Sequence, residues 1–444
     1  MVFITLWDYV LLPFYLLFLF IISIALRPLL TTEKNVRYYY PALGLKVFGA
    51  LMVGIIYQYY YKSGDTANYF NGGKDIAHLF LEDGRQWLRY MFAENGENLP
   101  VRGQQFFFFD HSSYYVQKLT SVVNFLTFST YLNTALFFAL FSFFGIWFLF
   151  TRLSRVFSEA YLPIAIALFF LPSVFFWGSG ISKDTISIMS LCVVMGAVLN
   201  WFYYPNSSRL WNLILIIFFS YLLIQIKLYI FLFLLLSVMV FVWLRFYRKL
   251  KDKVSPLVIW FVFVLILLLS GFFFQEKILN TIKAYSIEEM TKGARITYDY
   301  IRSVTTDDGS GYNLGEINYA EPLDVLKSVP AAIQVTLFRP YPWESKKVIT
   351  LFSAIESFAF LLFTIYLIFY IGFFTLIRKI WQHELWISYM IFALLFAFAI
   401  GFSTGNFGTL VRYKIPCMPF YMIPLLLIWY QERAYRNKLK KLDF

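Results

Sequence analysis

The 444-residue sequence contains few charged residues, 14% in all, where an ordinary soluble domain has about a quarter. It is instead 60% hydrophobic and 22% aromatic, and several of its apolar runs exceed the roughly 18 residues that indicate a membrane span. This composition predicts an all-α integral membrane protein that crosses the membrane many times. It excludes cytosolic, secreted and nucleic-acid-binding classes, despite the net charge of +12.

Cysteine and histidine are also scarce. Cys192 and Cys417 both lie in apolar runs, which argues against a disulfide framework or a zinc site. The three histidines are scattered and lack paired-ligand spacing. No protein metal site is therefore predicted, although a divalent ion held partly by a substrate is compatible with the sequence. The first apolar run, 4–26, is too long for a cleaved signal peptide.

Apolar runs predict about eleven transmembrane helices in a single membrane domain that covers residues 1–444. As one helix, the stretch 210–245 would reach roughly 54 Å, against a hydrocarbon core of about 30 Å. We therefore predict that this stretch folds back near Gln225–Lys227. The predicted spans are 4–26, 41–61, 130–150, 160–177, 184–204, 210–226, 228–245, 256–274, 348–376, 385–402 and 413–430.

The loops between these spans separate by charge. One set, which includes Lys46 and the carboxyl-terminal tail, carries 19 Lys and Arg against 6 Asp and Glu. Because short basic loops face the cytoplasm, we predict a cytoplasmic carboxyl terminus and an outer amino terminus. The long loops 62–129 and 275–347 are then outside, and residues 112–128 of the first predict an amphipathic helix at the membrane surface.

Ionisable residues at membrane depth or at the outer mouth are costly unless a partner or ligand compensates them. Asp65 follows Gly64 just beyond the second span, and its carboxylate suits a general base or a ligand to a divalent ion. Two glycines break the helix before Lys183, and Ser182 or Asp184 can cap the next helix. A lysine beside a helix amino terminus suits a phosphate, because the ammonium and the free N–H groups point the same way. The alternatives are a solvated loop acid and a lysine that extends its ammonium to water.

Three more cations map to the predicted outer side. Lys227 lies in the most apolar hairpin, and Arg412 lies at the entry to the last span. Arg339 precedes a segment stiffened by prolines on both sides of Tyr341. Its guanidinium could bind a phosphate bidentately while Tyr341 and Trp343 stack on a sugar ring. The alternatives are cations that reach for water and an aromatic belt at the membrane interface.

Glu356 lies roughly nine residues into the ninth predicted span, about 13 Å below its outer end. An acid at that depth should face the protein interior, and a structural ion pair with Lys183, Lys227 or Arg412 is favoured slightly over a catalytic role. Several cations on the outer side, together with Asp65, imply an anionic ligand. A lipid-linked diphosphate fits this pattern.

An ordered set of short motifs resembles those of bacterial polytopic glycosyltransferases and polysaccharide polymerases of the EpsG-like, Wzy-like and GT-C kind. The motifs are Gly64-Asp65, the segment from Pro172 to Asp184, Lys227-x-Tyr229, Phe338-Arg339-Pro340 and the segment from Gly405 to Tyr413. Two departures are that the first outer loop follows the second span and that Leu228 stands where proline is expected.

The resemblance implies sugar transfer at the outer face of the bacterial inner membrane, from a polyprenyl-phosphate or diphosphate donor to a glycan acceptor. It implies that Asp65 is the catalytic carboxylate of the first outer loop, acting as general base or orienting the acceptor, and that the basic residues hold the lipid phosphate. Partners in envelope biosynthesis fit this role. Two alternatives are a flippase for lipid-linked oligosaccharide, and a non-enzymatic membrane component of an envelope machine.

Overall fold

A computed structural model of the protein describes residues 2–94, 110–250, 255, 311–315, 322–345 and 347–442. The chain divides into two compact units, Met1–Leu232 and Phe233–Phe444. The regular elements of the described residues are all helical: a π-helix at Ile56–Tyr61, a short 3₁₀ helix at Pro342–Glu344 and sixteen α-helices. They are α1 (Leu6–Leu30), α2 (Val36–Ile55), α3 (Asp65–Glu82), α4 (Gly84–Phe92), α5 (His111–Leu126), α6 (Tyr131–Val156), α7 (Tyr161–Phe169), α8 (Pro172–Phe176), α9 (Lys183–Tyr203), α10 (Arg209–Leu250), α11 (Pro322–Phe338), α12 (Val348–Ile371), α13 (Phe373–Gln382), α14 (Glu384–Thr404), α15 (Phe407–Tyr413) and α16 (Met418–Leu442).

Within the described part of the chain, seven helices are long and apolar enough to cross a membrane. The number is eight if α15 and α16, which meet at a bend of 65°, form one broken span. The protein is therefore an all-α membrane protein, as its composition predicts. The predicted span 256–274 and most of the loop 275–347 lie outside the described residues.

The predicted fourth span, 160–177, is not one helix but two short ones, α7 and α8. Between them Leu171 is extended, with φ −75° and ψ 121°. The break follows from Pro172, whose ring disfavours helical geometry in the residue before it. Hydropathy alone does not detect this break, because both short helices are apolar.

The long apolar stretch is interrupted at Lys227, within the predicted turn at 225–227, but it forms one kinked helical segment, and its predicted fold-back into two spans stays a prediction. This residue lies within α10 and has non-helical dihedrals, φ −150° and ψ 83°. No glycine or proline marks the position. The residues on either side of Lys227 continue the 42-residue helical segment.

The described residues of the first predicted outer loop form three helices, α3 to α5. The helix predicted over 112–128 is confirmed by α5, which packs against α3. At the crossing a Cβ on Gly72 would lie 2.5 Å from Gln117, and one on Gly73 would lie 2.7 Å from Thr120. The two glycines therefore permit a close approach of α3 and α5. Helix propensity alone does not predict α3, because glycine disfavours helix interiors.

The first unit is built around α6, most of whose residues are buried against α2 and α9. An aromatic cluster fills one side of this core, where the Trp147 ring lies 5.2 Å from Tyr39 and 5.6 Å from Phe143 between centroids. On the other side, Gly145 and Gly196 allow α6 and α9 to approach closely. Small residues at helix crossings are typical of membrane proteins, where packing supplies much of the association energy.

The prediction that Lys46 belongs to a basic cytoplasmic loop is wrong. Lys46 lies within α2 and is fully buried. Its ammonium donates to the carbonyl oxygens of Gly178 and Val174 at 2.7 and 3.1 Å, and to Ser142 Oγ at 3.1 Å. Lys46 therefore satisfies carbonyls that the end of α8 leaves without helical partners.

Substitution by alanine is expected to have opposite effects at two glycines of α2, Gly49 and Gly44. In Gly49→Ala the new Cβ would lie 2.0 Å from the Phe175 carbonyl oxygen, whereas nothing lies within 4 Å of a Cβ on Gly44. Forced backbone shifts should cost Gly49→Ala about 1–3 kcal/mol of unfolding free energy. Gly44→Ala should be neutral or add up to about 1 kcal/mol, because alanine favours the helix. SDS titration of both variants in mixed micelles measures the difference, and equal effects would contradict the α2–α8 packing.

The second unit packs α14 against α11 and α16. A Cβ on Gly401 would lie 2.1 Å from the Ala332 carbonyl oxygen, so α11 and α14 are in close backbone contact. Tyr312 also binds this unit, because its backbone N–H donates to Gly405 at 3.1 Å and its hydroxyl donates to Gly401 at 2.8 Å. This packing fixes the start of α15 and the end of α11, where the sequence predicts site residues.

Candidate functional site

The start of α9 carries the first group of predicted site residues. Ser182 caps the helix, its hydroxyl accepting from the Thr185 N–H at 3.1 Å. Thr185 Oγ1 donates in turn to the Gly180 carbonyl oxygen at 2.6 Å. Of the two caps that the sequence allows, Ser182 and Asp184, the structure shows Ser182. It gives Lys183 and Asp184, the first two residues of the helix, fixed backbone positions.

Lys183 pairs with Asp110, an acid of the first predicted outer loop. The Lys183 ammonium lies 2.9 Å from Asp110 Oδ2 and donates to Ser112 Oγ at 2.6 Å. Asp110 also caps α5 by accepting from the Ser113 N–H at 3.0 Å. Burial alone would raise the pKa of the Asp110 carboxyl. Hydrogen bonds from the two serines and the charge of Lys183 outweigh this effect, so the pKa lies well below its usual range.

Asp184 and Lys227 form a second, more deeply buried pair. Lys227 Nζ lies 2.5 Å from Asp184 Oδ1, and the side chains are only 9% and 2% exposed, respectively. The helix break in α10 occurs at the same lysine. Two neighbouring residues of α9 therefore have partners on different helices. Lys183 binds the acid that caps α5, and Asp184 binds the lysine at the break in α10.

Asp65 lies beside this double pair. It is the first residue of α3 and follows Gly64, whose φ of 143° lies in a region that L-residues rarely adopt. The Asp65 charge acts on the Lys183 ammonium, as does that of Lys227. The Tyr69 ring, one turn along α3, lies 6.0 Å from the Lys183 nitrogen. Three of the predicted site residues, Asp65, Lys183 and Lys227, thus lie in one region of the first unit, and both lysines already have a carboxylate partner.

A histidine links the same region to the break in α10. His111 Nδ1 contacts the Glu94 carbonyl oxygen at 2.8 Å. Its Nε2 is hydrogen-bonded to Gln225 Oε1, two residues before Lys227. The loop helix α5 is therefore connected both to α9, through Asp110, and to α10, through His111.

In the second unit, Arg339 has a carboxylate partner that the sequence did not suggest. Its Nε lies 3.1 Å from both carboxylate oxygens of Glu344, and its Nη2 also donates to Glu344. Glu344 accepts from the Tyr341 N–H at 2.7 Å as well, which closes the turn between them. Phe407 lies under the guanidinium, with its ring centroid 5.1 Å from Cζ.

Tyr341 and Trp343 form a stacked aromatic pair, with centroids 5.0 Å apart and planes 24° from parallel. Phe358 supports both rings from α12, at 6.3 and 5.5 Å. Trp343 is nevertheless 71% exposed. Arg339 and this aromatic pair thus present a guanidinium and an open ring face within five residues of the chain.

Glu356 is buried, as predicted for an acid at that depth. It interacts electrostatically with Lys414, whose ammonium donates to Ser357 Oγ at 2.6 Å and to the Arg339 carbonyl oxygen at 3.2 Å. Lys414 was not among the predicted partners of Glu356. Arg412 is half-buried in the last turn of α15, two residues before it.

The two groups belong to different units. Asp65, Lys183 and Lys227 lie in the first, and Arg339, Tyr341, Trp343, Glu356 and Arg412 lie in the second. Sequence reasoning missed four polar residues that interact with the predicted ones, namely Asp110, Asp184, Glu344 and Lys414, and it also missed the buried Lys46. For Lys46 and Lys414 the signal was present, since each is a lysine next to or inside an apolar run. For Asp110 and Glu344 the surrounding loop sequence gave none.

No known protein family, curated protein or solved structure matches the chain. The conclusion about its chemistry therefore depends on the residues themselves. Among the residues that the structure describes, no group of three or more His, Cys, Asp or Glu is arranged to hold a metal ion.

Proposed function

We propose that the protein is a glycosyltransferase or polysaccharide polymerase that acts on polyprenyl-(di)phosphate-linked sugars. The observation that carries the proposal is the clustering of Asp65 with Lys183 and the buried Asp184–Lys227 pair. Burying charged groups at the ends of membrane helices costs free energy, and residues that bear this cost commonly belong to functional sites. In this proposal the site faces the outside of a bacterial inner membrane, and about eleven spans place the amino terminus outside.

The two pairs suit different tasks. Asp110 is 43% exposed and Lys183 is 20% exposed, so a ligand phosphate can reach Lys183 and replace Asp110 as its partner. The ammonium then stabilises the negative charge that develops on the departing phosphate. The Lys227–Asp184 pair is nearly inaccessible, and in this proposal it holds the start of α9 and the break in α10 in register.

Asp65 takes the role of general base. Its position at the first turn of α3, with Lys183 nearby, allows an acceptor hydroxyl to lie between the carboxylate and a phosphate-linked sugar. Removal of the hydroxyl proton by a positioned carboxylate accelerates attack on the anomeric carbon. A divalent ion bound through Asp65 and the substrate diphosphate is compatible with this arrangement.

The second unit supports the proposal through sugar recognition. The open face of Trp343, stacked on Tyr341, suits the apolar face of a sugar ring. Arg339 is pre-ordered by Glu344 and Phe407, so binding a phosphate or a sugar carboxylate would cost it little entropy. Arg412 and the Glu356–Lys414 group lie on neighbouring turns of the same unit.

The direct test is elongation by the purified protein. The protein in liposomes would be given a lipid-diphosphate-linked repeat unit of the host glycan, and products would be resolved by length. Glycans of two or more repeats, with release of the lipid diphosphate, are the expected result. Unchanged lipid-linked units, with protein that remains folded and units from the correct host, would contradict the proposal.

A flippase is the second candidate, favoured by the broken helices. The break at Lys227 and the 65° bend between α15 and α16 resemble the discontinuous helices that line transport paths. The same liposomes separate the two functions. Movement of a labelled lipid-linked oligosaccharide across the bilayer without any change in glycan length would favour transport.

A further inference from the structure

A cavity of about 500 Å³ opens in the first unit, away from the residues discussed above. It lies where α1 begins, against one face of α3 and the turn between α5 and α6. Its lining is mixed: Trp7, Leu11, Phe70 and Phe128 supply apolar surface, and Lys74 and Ser129 supply polar groups. Cavities of this size commonly hold small ligands.

Lys74 is the chemical centre of this cavity. Among the residues that the structure describes, no hydrogen bond or ion pair involves its ammonium, although the carboxylate of Asp75 next to it acts on it electrostatically. The Ser129 hydroxyl is likewise without a hydrogen-bond partner among them. A half-buried cation and a hydroxyl that line one cavity suit an anion with several oxygens.

The turn between α5 and α6, which also lines the cavity, is held in an unusual conformation. Phe128 and Ser129 have φ values of 49° and 52°, which non-glycine residues seldom adopt. The Ser129 N–H donates to the Asn124 carbonyl oxygen at 3.1 Å, which holds the turn. As a result the Phe128 ring is 78% exposed at the cavity edge. Backbone strain of this kind clusters at ligand sites.

The cavity also extends along α1 towards apolar surface. Leu11 lies six residues after Thr5, the cap of α1, and hence about 9 Å along the helix. Only 11% of the most apolar window of α1 is buried, so most of the apolar surface of this helix is exposed. The cavity therefore joins a polar end at Lys74 to an exposed apolar surface on a helix that is long enough to span a membrane.

We propose that this cavity binds the phosphate headgroup of an anionic membrane phospholipid. Lys74 contacts the phosphate and Ser129 donates to one of its oxygens. Trp7, Leu11 and Phe128 contact the first carbons of the lipid tail. The ligand chemistry, a phosphate monoanion on a short polyol, is shared with soluble glycerol phosphate, but the apolar part of the lining favours the lipid. This inference does not depend on the proposed enzymatic function.

Native mass spectrometry of the full-length protein in detergent with added phosphatidylglycerol tests the proposal. Wild-type protein should retain one phosphatidylglycerol more tightly than phosphatidylcholine. Lys74→Gln should weaken that retention at least 10-fold, and Lys74→Arg should restore most of it. Arg85→Gln, which removes an exposed cation of α4 outside the cavity, is the matched control and should retain lipid as wild type does.

Two further arms identify the ligand and protect against misfolding. Glycerol phosphate should fail to displace the lipid at concentrations at which phosphatidylglycerol exchanges; displacement at equal concentrations would assign the site to a soluble phosphate and overturn the proposal. Trp7→Ala should weaken the retention of long-chain lipid, and Trp7 is 67% exposed, so its loss should leave the fold intact. Wild-type retention in a folded Lys74→Gln protein would also overturn the proposal.

Discussion

Replacing Asp65 by asparagine is expected to reduce glycan polymerisation by about 10²–10⁴-fold while leaving the protein folded. The factor is the usual contribution of a positioned general base. Asparagine keeps the size and hydrogen-bonding oxygen of the side chain but cannot accept the acceptor proton. The variant is expressed as the sole copy in the host, and surface glycan is resolved by length on a gel. Short glycan and accumulated lipid-linked repeat units are the expected pattern.

Asp83→Asn is the matched control for this experiment. Asp83 lies in the same loop and also begins a helix, where its carboxylate accepts from the N–H groups of Arg85 and Gln86. Asparagine caps helices about as well as aspartate, so normal glycan length is expected. Full-length glycan in the Asp65→Asn strain at normal protein levels would remove Asp65 from the reaction. A third variant, Asp65→Glu, should retain part of the activity if proton removal is the role.

The membrane helices could be predicted from the sequence because lipid imposes a simple rule. Every backbone polar group must be paired within the span, so a long apolar run becomes a helix. The apolar runs that form α1, α6, α9, α12 and α14 follow this rule. Their predicted starts lie within two residues of the helix starts, and their predicted ends lie within six residues of the helix ends. The rule fails where length is misleading, as at Pro172, which divides one apolar run into α7 and α8.

The helices of the first outer loop illustrate the opposite case. Gly72 and Gly73 occupy the middle of α3, where glycine disfavours a helix. The helix is stabilised instead by close packing on α5, which those glycines permit. Tertiary contact outweighs local propensity there, and a single sequence carries no record of the contact.

The candidate site shows the same limit in its ion pairs. Lys183 and Lys227 could be picked out because cations at membrane depth need compensation. Their partners could not, because Asp110 is 73 positions from Lys183 and Asp184 is 43 positions from Lys227. The inference that the cations require an anionic ligand changes accordingly. Both already have carboxylate partners, so a phosphate must compete with Asp110 rather than fill a vacant site.

The buried pair between Lys227 and Asp184 carries the largest stability effect that we expect. Lys227→Met should lower the free energy of unfolding by about 3–5 kcal/mol, because it leaves the Asp184 carboxylate buried without its cation. Met conserves the length of the lysine side chain, so packing changes little. SDS titration in mixed micelles measures the loss. The exposed Lys249 on the same helix provides the control, and Lys249→Met should change stability by less than about 0.5 kcal/mol.

A second substitution separates charge from packing. Once Lys227 is Met, changing Asp184 to asparagine removes the uncompensated carboxylate, so the double variant should be more stable than Lys227→Met alone. A hydrogen-bonded ion pair at 2.5 Å, with the side chains 9% and 2% exposed, is expected to show a coupling of this sign between neighbouring groups. Losses that simply add would mean that the two side chains act independently. In that case the pair would not hold α9 at the break in α10, and its part in ordering Lys183 would have to be abandoned.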